Sequence, residues 1–203
     1  MHPGAAATDP IDPQGGGANP EPVRQQEAAL VTVGLSGAHK VQDFKCSKSE
    51  RVNGFFNNEA RLLVPNYCRV FIAPNPEDET AVWGFYTLSA ALLLKQNLSG
   101  SDERRIAKSY LGYPAPMVRI GFMGRHDGAP QGLGAALIVD AARRVYRNAD
   151  IAAWGLVLEP EGGKKKEKLW SWYLSQGFKE CRALSNTESM YAPLSAFLPE
   201  LQV

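Results

Sequence analysis

The sequence offers little material for a metal centre or a disulfide framework. Its three cysteines, Cys46, Cys68 and Cys181, are odd in number and widely spaced, with no Cys-x-x-Cys pair and no histidine close by in sequence. A reduced, cytoplasmic protein without a bound metal is the expectation. Long apolar runs are also missing. Stretches such as residues 90–94 fall far short of the roughly 20 residues that a membrane helix needs, and the N-terminus has no apolar signal core. Charge bias is absent too, with 22 Lys+Arg against 21 Asp+Glu. Attraction to nucleic acid therefore has to come from a local patch.

Large apolar side chains are scarce over residues 1–27, where Pro3, Pro10, Pro13, Pro20, Pro22 and the Gly15-Gly16-Gly17 run dominate. This segment is expected to be a disordered tail. Residues 28–203 then form one domain, as expected for a chain of this length. The patterning predicts a first helix capped by Ser47 or Ser49 and running to about Leu63, with Val52, Phe55, Phe56 and Ala60 on one face. Two apolar runs, 68–73 and 81–92, flank a proline-containing turn and read as a hairpin. The interval 102–108 is charged, and a strand over 117–123 follows. Next come a helix over 133–147, a strand over 152–158, a helix over 167–175, and closing strands near 178–184 and 190–194.

The strand at 117–123 runs into a glycine-rich segment, Gly124-Arg-His-Asp-Gly-Ala-Pro-Gln-Gly-Leu-Gly134, which opens the 133–147 helix. A strand, a glycine turn and a helix N-terminus together present unpaired backbone N–H groups at the positive end of a dipole, which suits a pyrophosphate. No Gly-Lys-Ser/Thr follows, which argues against a P-loop, and Leu137 breaks the Gly-x-Gly-x-x-Gly spacing of dinucleotide enzymes. Coenzyme A is the remaining common reading. An isolated Gly-Leu-Gly is also compatible with a simple tight turn.

Taken together, Val118-Arg-Ile-Gly121, Gln131-Gly-Leu-Gly134, the helix after it and Trp172-Tyr-Leu-Ser-Gln-Gly-Phe178 resemble the acyl-CoA core of the GNAT superfamily of N-acetyltransferases. The family's Gln/Arg-x-x-Gly-x-Gly/Ala pattern fits in two registers. One is Gln131, Gly134 and Ala136; the other, preferred on the helix match, is Ala129, Gly132 and Gly134. His39 through Ala60, the segment Val82-Trp-Gly-Phe-Tyr-Thr-Leu-Ser-Ala90 and the ending Met190-Tyr-Ala-Pro-Leu194 resemble one GNAT branch, the toxins of type II toxin–antitoxin modules. That resemblance covers about residues 30 to 195. Where the branch has Gly-Arg-Leu, this chain has Gly121-Phe122-Met123.

The resemblance implies an α/β fold with a mixed central sheet of about six to seven strands flanked by helices, and acetyl-CoA in the cleft after the fourth strand. It implies backbone contacts to the cofactor from Phe122, Met123, Gly124, Gln131, Gly132, Leu133, Gly134 and Ala135. Tyr173 is implied as the acid that protonates the departing sulfur, a role suited to a phenol with pKa near 10. The implied acceptor is the amino group of aminoacyl-tRNA, whose acetylation stops translation. The implied partners are that tRNA, a DNA-binding antitoxin on a separate chain and, as an option, a second copy of this one.

Lys164, Lys165, Lys166 and Lys168 form a basic run just before the tyrosine helix and are candidates for holding RNA. Such a run is also what an ordinary solvated loop looks like. His126 is a further candidate base or phosphate contact, whereas Cys181 has no histidine near it in sequence and is set aside as a nucleophile. Two other functions stay open on the sequence: acetylation of a small or protein amine, and a catalytically idle acyl-CoA-binding module.

Overall fold

The computed structural model describes residues 30–109, 114–148, 150–182 and 188–201. The expected disordered tail lies outside the described residues. The remainder builds a mixed α/β structure around one seven-stranded sheet. In chain order the elements are β1 (Val33–Gly34), α1 (Glu50–Gly54), a π-helical turn (Phe55–Glu59), α2 (Ala60–Leu63), β2 (Arg69–Asn75), β3 (Asp78–Leu93) and α3 (Gly100–Ser109). Then follow β4 (Ala115–Arg125), α4 (Leu133–Arg147), β5 (Gly155–Leu158), α5 (Glu167–Ser175), β6 (Lys179–Glu180), β7 (Met190–Pro193) and α6 (Leu198–Leu201).

The strands lie in the order β1-β2-β3-β4-β5-β7-β6. Only the β4–β5 pair is parallel, with α4 as its crossover. One face of the sheet packs on α4 and α5 through Tyr86, Leu133, Leu137, Ile138, Trp170 and Tyr173. The other packs on the α1–α2 region through Phe44, Phe55, Phe56 and Phe85.

The expected first helix is present but broken. Ser49 caps it, its hydroxyl accepting the Val52 N–H at 3.1 Å. The π turn then inserts the extra residue that lets the consecutive Phe55 and Phe56 both bury. Other expectations need correction. The charged interval 102–108 belongs to a helix, α3, in which Asp102 and Ile106 are buried. Its start is a Ser-x-x-Asp arrangement, Ser99 to Asp102, whose side chains bond to each other at 3.1 Å. The strand expected over 178–184 shortens to β6, because Arg182 N–H leaves the sheet to donate to the Asn97 carbonyl at 2.8 Å. Residues 183 and 184 lie outside the described residues.

Candidate active site in the β4–β5 cleft

β4 pairs with β5 from Met117 opposite Gly155 as far as Ile120 opposite Leu158, where β5 ends. Residues 121–125 continue as strand alongside β3 alone. The edge of β4 that faced β5 is thereby opened, and a cleft begins there. At the same point the β3–β4 register shifts between Tyr86 and Leu88, so that Gly121 and Phe122 together oppose Thr87. This is a bulge in β4, the device by which a strand re-aims its backbone.

The bulge sorts the expected cofactor contacts. Phe122 N–H donates to the Thr87 hydroxyl at 2.9 Å, so this amide is satisfied inside the protein and does not face the cleft. Of the expected Phe122 backbone contact, the N–H is thereby already taken. His126 N–H donates to the Trp83 carbonyl at 2.7 Å. Antiparallel alternation from that bond turns the Gly124 amide toward Phe85 and the Met123 amide away from β3, toward the opened side. Of the three β4 residues named from the sequence, Met123 alone directs its N–H into the cleft.

Gly124 has a different role. A Cβ there would lie 2.6 Å from Val52 Cγ1 and 2.8 Å from Phe85 Cε1, so the glycine lets α1 close on the sheet. Beyond it, Arg125 stretches along the loop and donates to the Ala129 and Pro130 carbonyls. Asp127 accepts from Ser47 N–H at 3.0 Å, tying the loop to the segment before α1. His126 Nδ1 accepts the Gly128 N–H at 3.0 Å, and the ring packs edge-on against Phe44. The histidine is thus a turn-forming residue here. Ala129, at the first position of the preferred motif register, is buried and carries no polar group.

The loop delivers Gly132 as the N-cap of α4 with φ +86°, a left-handed conformation that glycine adopts without strain, and nothing lies within 4 Å of where its Cβ would be. The first helical bond runs from Ala136 N–H to the Gly132 carbonyl at 3.1 Å. No side chain caps the helix, so the Leu133, Gly134 and Ala135 amides stand at its positive end. Gln131, just before the cap, is exposed.

Gly134 also touches the tyrosine helix: a Cβ at this position would sit 3.3 Å from Trp172 Cζ2. Tyr173 follows on α5. Its ring is buried edge-on against Trp172 and Phe178, and its hydroxyl has no hydrogen-bond partner among the described residues. Burial pushes its pKa up to about 12, so the phenol keeps its proton at neutral pH. Trp172 thus links the α4 N-terminus to the helix that carries Tyr173, and Met123 packs against the same apolar cluster.

The chain matches no protein-family profile. Among solved structures it is similar to a tyrosine-to-phenylalanine mutant of KacT, with TM-score 0.69 and 20% identity over 85% of this chain and 99% of that one. It is equally similar to AtaT complexed with acetyl-methionyl-tRNAfMet, with TM-score 0.69 and 23% identity over 83% of this chain and 97% of the other. A tyrosine-to-phenylalanine mutant of the AtaT toxin, bound to the C-terminus of the antitoxin AtaR and acetyl-CoA, matches with TM-score 0.63 and 20% identity over 85% and 98% of the two chains. The chain has the GNAT fold.

Within this GNAT fold the four lysines are not equivalent. Lys164 pairs with Glu180 at 2.7 Å and Lys166 with Glu161 at 2.9 Å. Lys165 and Lys168 are exposed and make no ion pair among the described residues. Carboxylates from after β5 and from β6 thus partner two of the four candidate RNA contacts, Lys166 and Lys164. Cys181 is half-buried, and burial followed by the Glu159 charge raises its thiol pKa to about 11, the opposite of what a nucleophile needs.

Proposed function

We propose that this chain is an acetyl-CoA-dependent N-acetyltransferase that acetylates the amino group of aminoacyl-tRNA, and that it acts as the toxin of a toxin–antitoxin pair. The observation that carries this reading is the run of β4 past the end of β5, which leaves the Met123 amide facing away from β3 while its side chain packs in the cluster that holds Leu133 and Tyr173. The similar structures of AtaT with acetyl-methionyl-tRNAfMet and with antitoxin and acetyl-CoA support the acceptor, the donor and the partner.

The residues present fit the donor. An uncapped helix N-terminus behind a left-handed glycine with open space before it can hold a pyrophosphate on the Leu133, Gly134 and Ala135 amides. Gln131 and Gly132 extend that row. When bound, acetyl-CoA supplies the thioester whose acetyl group is transferred. The Met123 N–H is placed to donate to the carbonyl oxygen, where negative charge develops. Tyr173 holds a proton that it can share with the departing sulfur through a hydrogen bond, and its raised pKa keeps the phenol neutral at pH 7.

Among the described residues, neither His126 nor Glu161 stands ready as a strong base for the amine. His126 is engaged in its turn. Burial opposes ionisation of Glu161, but its bonds to Lys166 and Ser49 outweigh it and lower the pKa, leaving a carboxylate of weak basicity. Such a site suits an α-amine, which titrates near pKa ~8, better than a lysine near ~10, because far more of it is neutral at pH 7. This favours an aminoacyl group over a protein lysine.

The direct test is purified protein with acetyl-CoA and a mixture of charged tRNAs, read by mass spectrometry of the aminoacyl ends. N-acetyl-aminoacyl-tRNA formed by the wild type and lost in Tyr173→Phe supports the proposal. Acetylation of polyamines or peptides with charged tRNA left unmodified contradicts it.

A further inference from the structure

We infer that Arg125 is a positioning residue of the donor site: its guanidinium straps the loop between β4 and α4 and turns the Gln131 amide outward, to where the diphosphate of coenzyme A binds. This rests on the donor reading proposed above and assigns to it a side chain outside the glycine turn and the tyrosine helix.

Arg125 is the last residue of β4 and lies opposite Gly84 of β3. Side chains alternate between the faces of a strand. Met123 packs with the cluster that holds Leu133, whereas a Cβ at Gly124 would meet Val52 on the α1 side, so Arg125 leaves the strand on the α4 face. Its cross-strand neighbour shows how near α4 comes. A Cβ at Gly84 would stand 3.0 Å from Leu137 Cδ1 and 3.1 Å from Leu133 Cδ2. The Arg125 side chain thus emerges beside the first turns of α4.

There one Nη of the guanidinium donates to two carbonyls, that of Ala129 and that of Pro130, the second at 3.2 Å. The Pro130–Gln131 peptide is trans, so its C=O and N–H point in opposite directions. Holding the carbonyl on the Arg125 side turns the Gln131 N–H to the other, next to Gly132 and the open space around it. The first half of the loop has separate ties, from His126 to the Gly128 amide and from Asp127 to Ser47. The second half lacks such means, because Ala129 has no polar side chain and Pro130 has no N–H. Among the described residues, Arg125 is what holds the Ala129 and Pro130 carbonyls. Its charge also stays unneutralised there, since Asp127 is engaged by Ser47 and no carboxylate pairs with Arg125 among the described residues. An anion on the Gln131 and α4 amides is therefore favoured by a cation behind the loop as well as by the helix dipole.

The test titrates the full chain with coenzyme A and with pantetheine, which lacks the diphosphate, each by displacement of a fluorescent coenzyme A conjugate. Acetylation of charged tRNA is measured in parallel. Arg125→Met removes both the strap and the charge, and Arg125→Lys keeps the charge on a shorter stem. Arg125→Met is expected to raise the Kd for coenzyme A at least ~10-fold, the range of a lost charge-assisted hydrogen bond, and that for pantetheine less than ~3-fold. Arg125→Lys is expected to raise the Kd for coenzyme A at least ~3-fold with pantetheine unchanged, and it carries the comparison alone if the Met variant does not fold. Unchanged affinity for coenzyme A in a folded variant overturns the inference, as does an equal loss for both ligands. A wild type that binds no coenzyme A contradicts the inference and the donor reading together. The expected pattern with no acetylation of charged tRNA supports the strap and contradicts the acceptor reading.

Discussion

Gly134, in the first turn of α4, lies against Trp172 of α5, so closely that a Cβ at position 134 would stand 3.3 Å from Cζ2 of the indole. The loop that presents the α4 amides and the helix that carries Tyr173 are therefore fixed relative to one another by a contact that only a hydrogen atom fits comfortably. Gly134→Val is expected to push Trp172 away and to weaken coenzyme A binding by at least ~10-fold, with a stability loss in the ~1–3 kcal/mol range of overpacked sites. Calorimetric titration with coenzyme A and a thermal melt measure the two effects separately.

Gly132 makes a contrasting case. Space is open around it, and only its φ of +86° demands glycine. Gly132→Ala is expected to lower stability by ~1–2 kcal/mol through left-handed strain alone. Urea unfolding with an unchanged m-value checks this.

Thr87 is buried and accepts the Phe122 N–H across the β4 bulge. Thr87→Val leaves that amide without its partner and is expected to destabilise the fold by ~1–3 kcal/mol, while Thr87→Ser is expected to retain most of the stability. Because the bulge sets the direction of the Met123 amide, kcat is expected to fall further in Thr87→Val than KM rises.

The glycine turn and the strand entering it are legible in the sequence because their spacing is local. Tyr173 is named only through the resemblance, since a tyrosine between Trp170, Trp172 and Phe178 reads equally as packing. The selection among Phe122, Met123 and Gly124 was not legible, since it depends on a bulge that places Thr87, far back on β3, opposite two residues of β4. The lysine run illustrates the same limit: Lys164 and Lys166 look like their neighbours until Glu180 and Glu161 arrive from elsewhere in the chain. Helix α3 was missed for a different reason. Its charged composition hid a Ser99–Asp102 capping signal that was readable.

A buried polar cluster ties β1 to α4. Asp140 accepts from the Thr32 and Tyr86 hydroxyls, and Arg144 donates to Tyr86 at 3.1 Å and to the Thr32 carbonyl at 3.0 Å while lying over the Phe71 ring. Asp140→Ala strips the acceptor from two buried hydroxyls and is expected to cost ~2–4 kcal/mol, measured by chemical denaturation.

The pH dependence follows from Tyr173. Its folded pKa is raised by burial to about 12, above the usual value for a phenol. A raised pKa means that its stability contribution is fully present below pH ~10 and is lost as pH climbs through the folded value. Activity is accordingly expected to show no alkaline loss from Tyr173 ionisation below pH ~11, and unfolding above that pH is expected to be blunted in Tyr173→Phe. A pH–rate profile and alkaline melts of both proteins check the two statements.

The most direct measurement of the central claim is induced expression of the wild type and of Tyr173→Phe at matched protein levels, with growth followed and the aminoacyl ends of cellular tRNA read by mass spectrometry. The account predicts growth arrest and N-acetylated aminoacyl-tRNA with the wild type, and neither with the variant. Equal growth of the two strains with unmodified tRNA would contradict it.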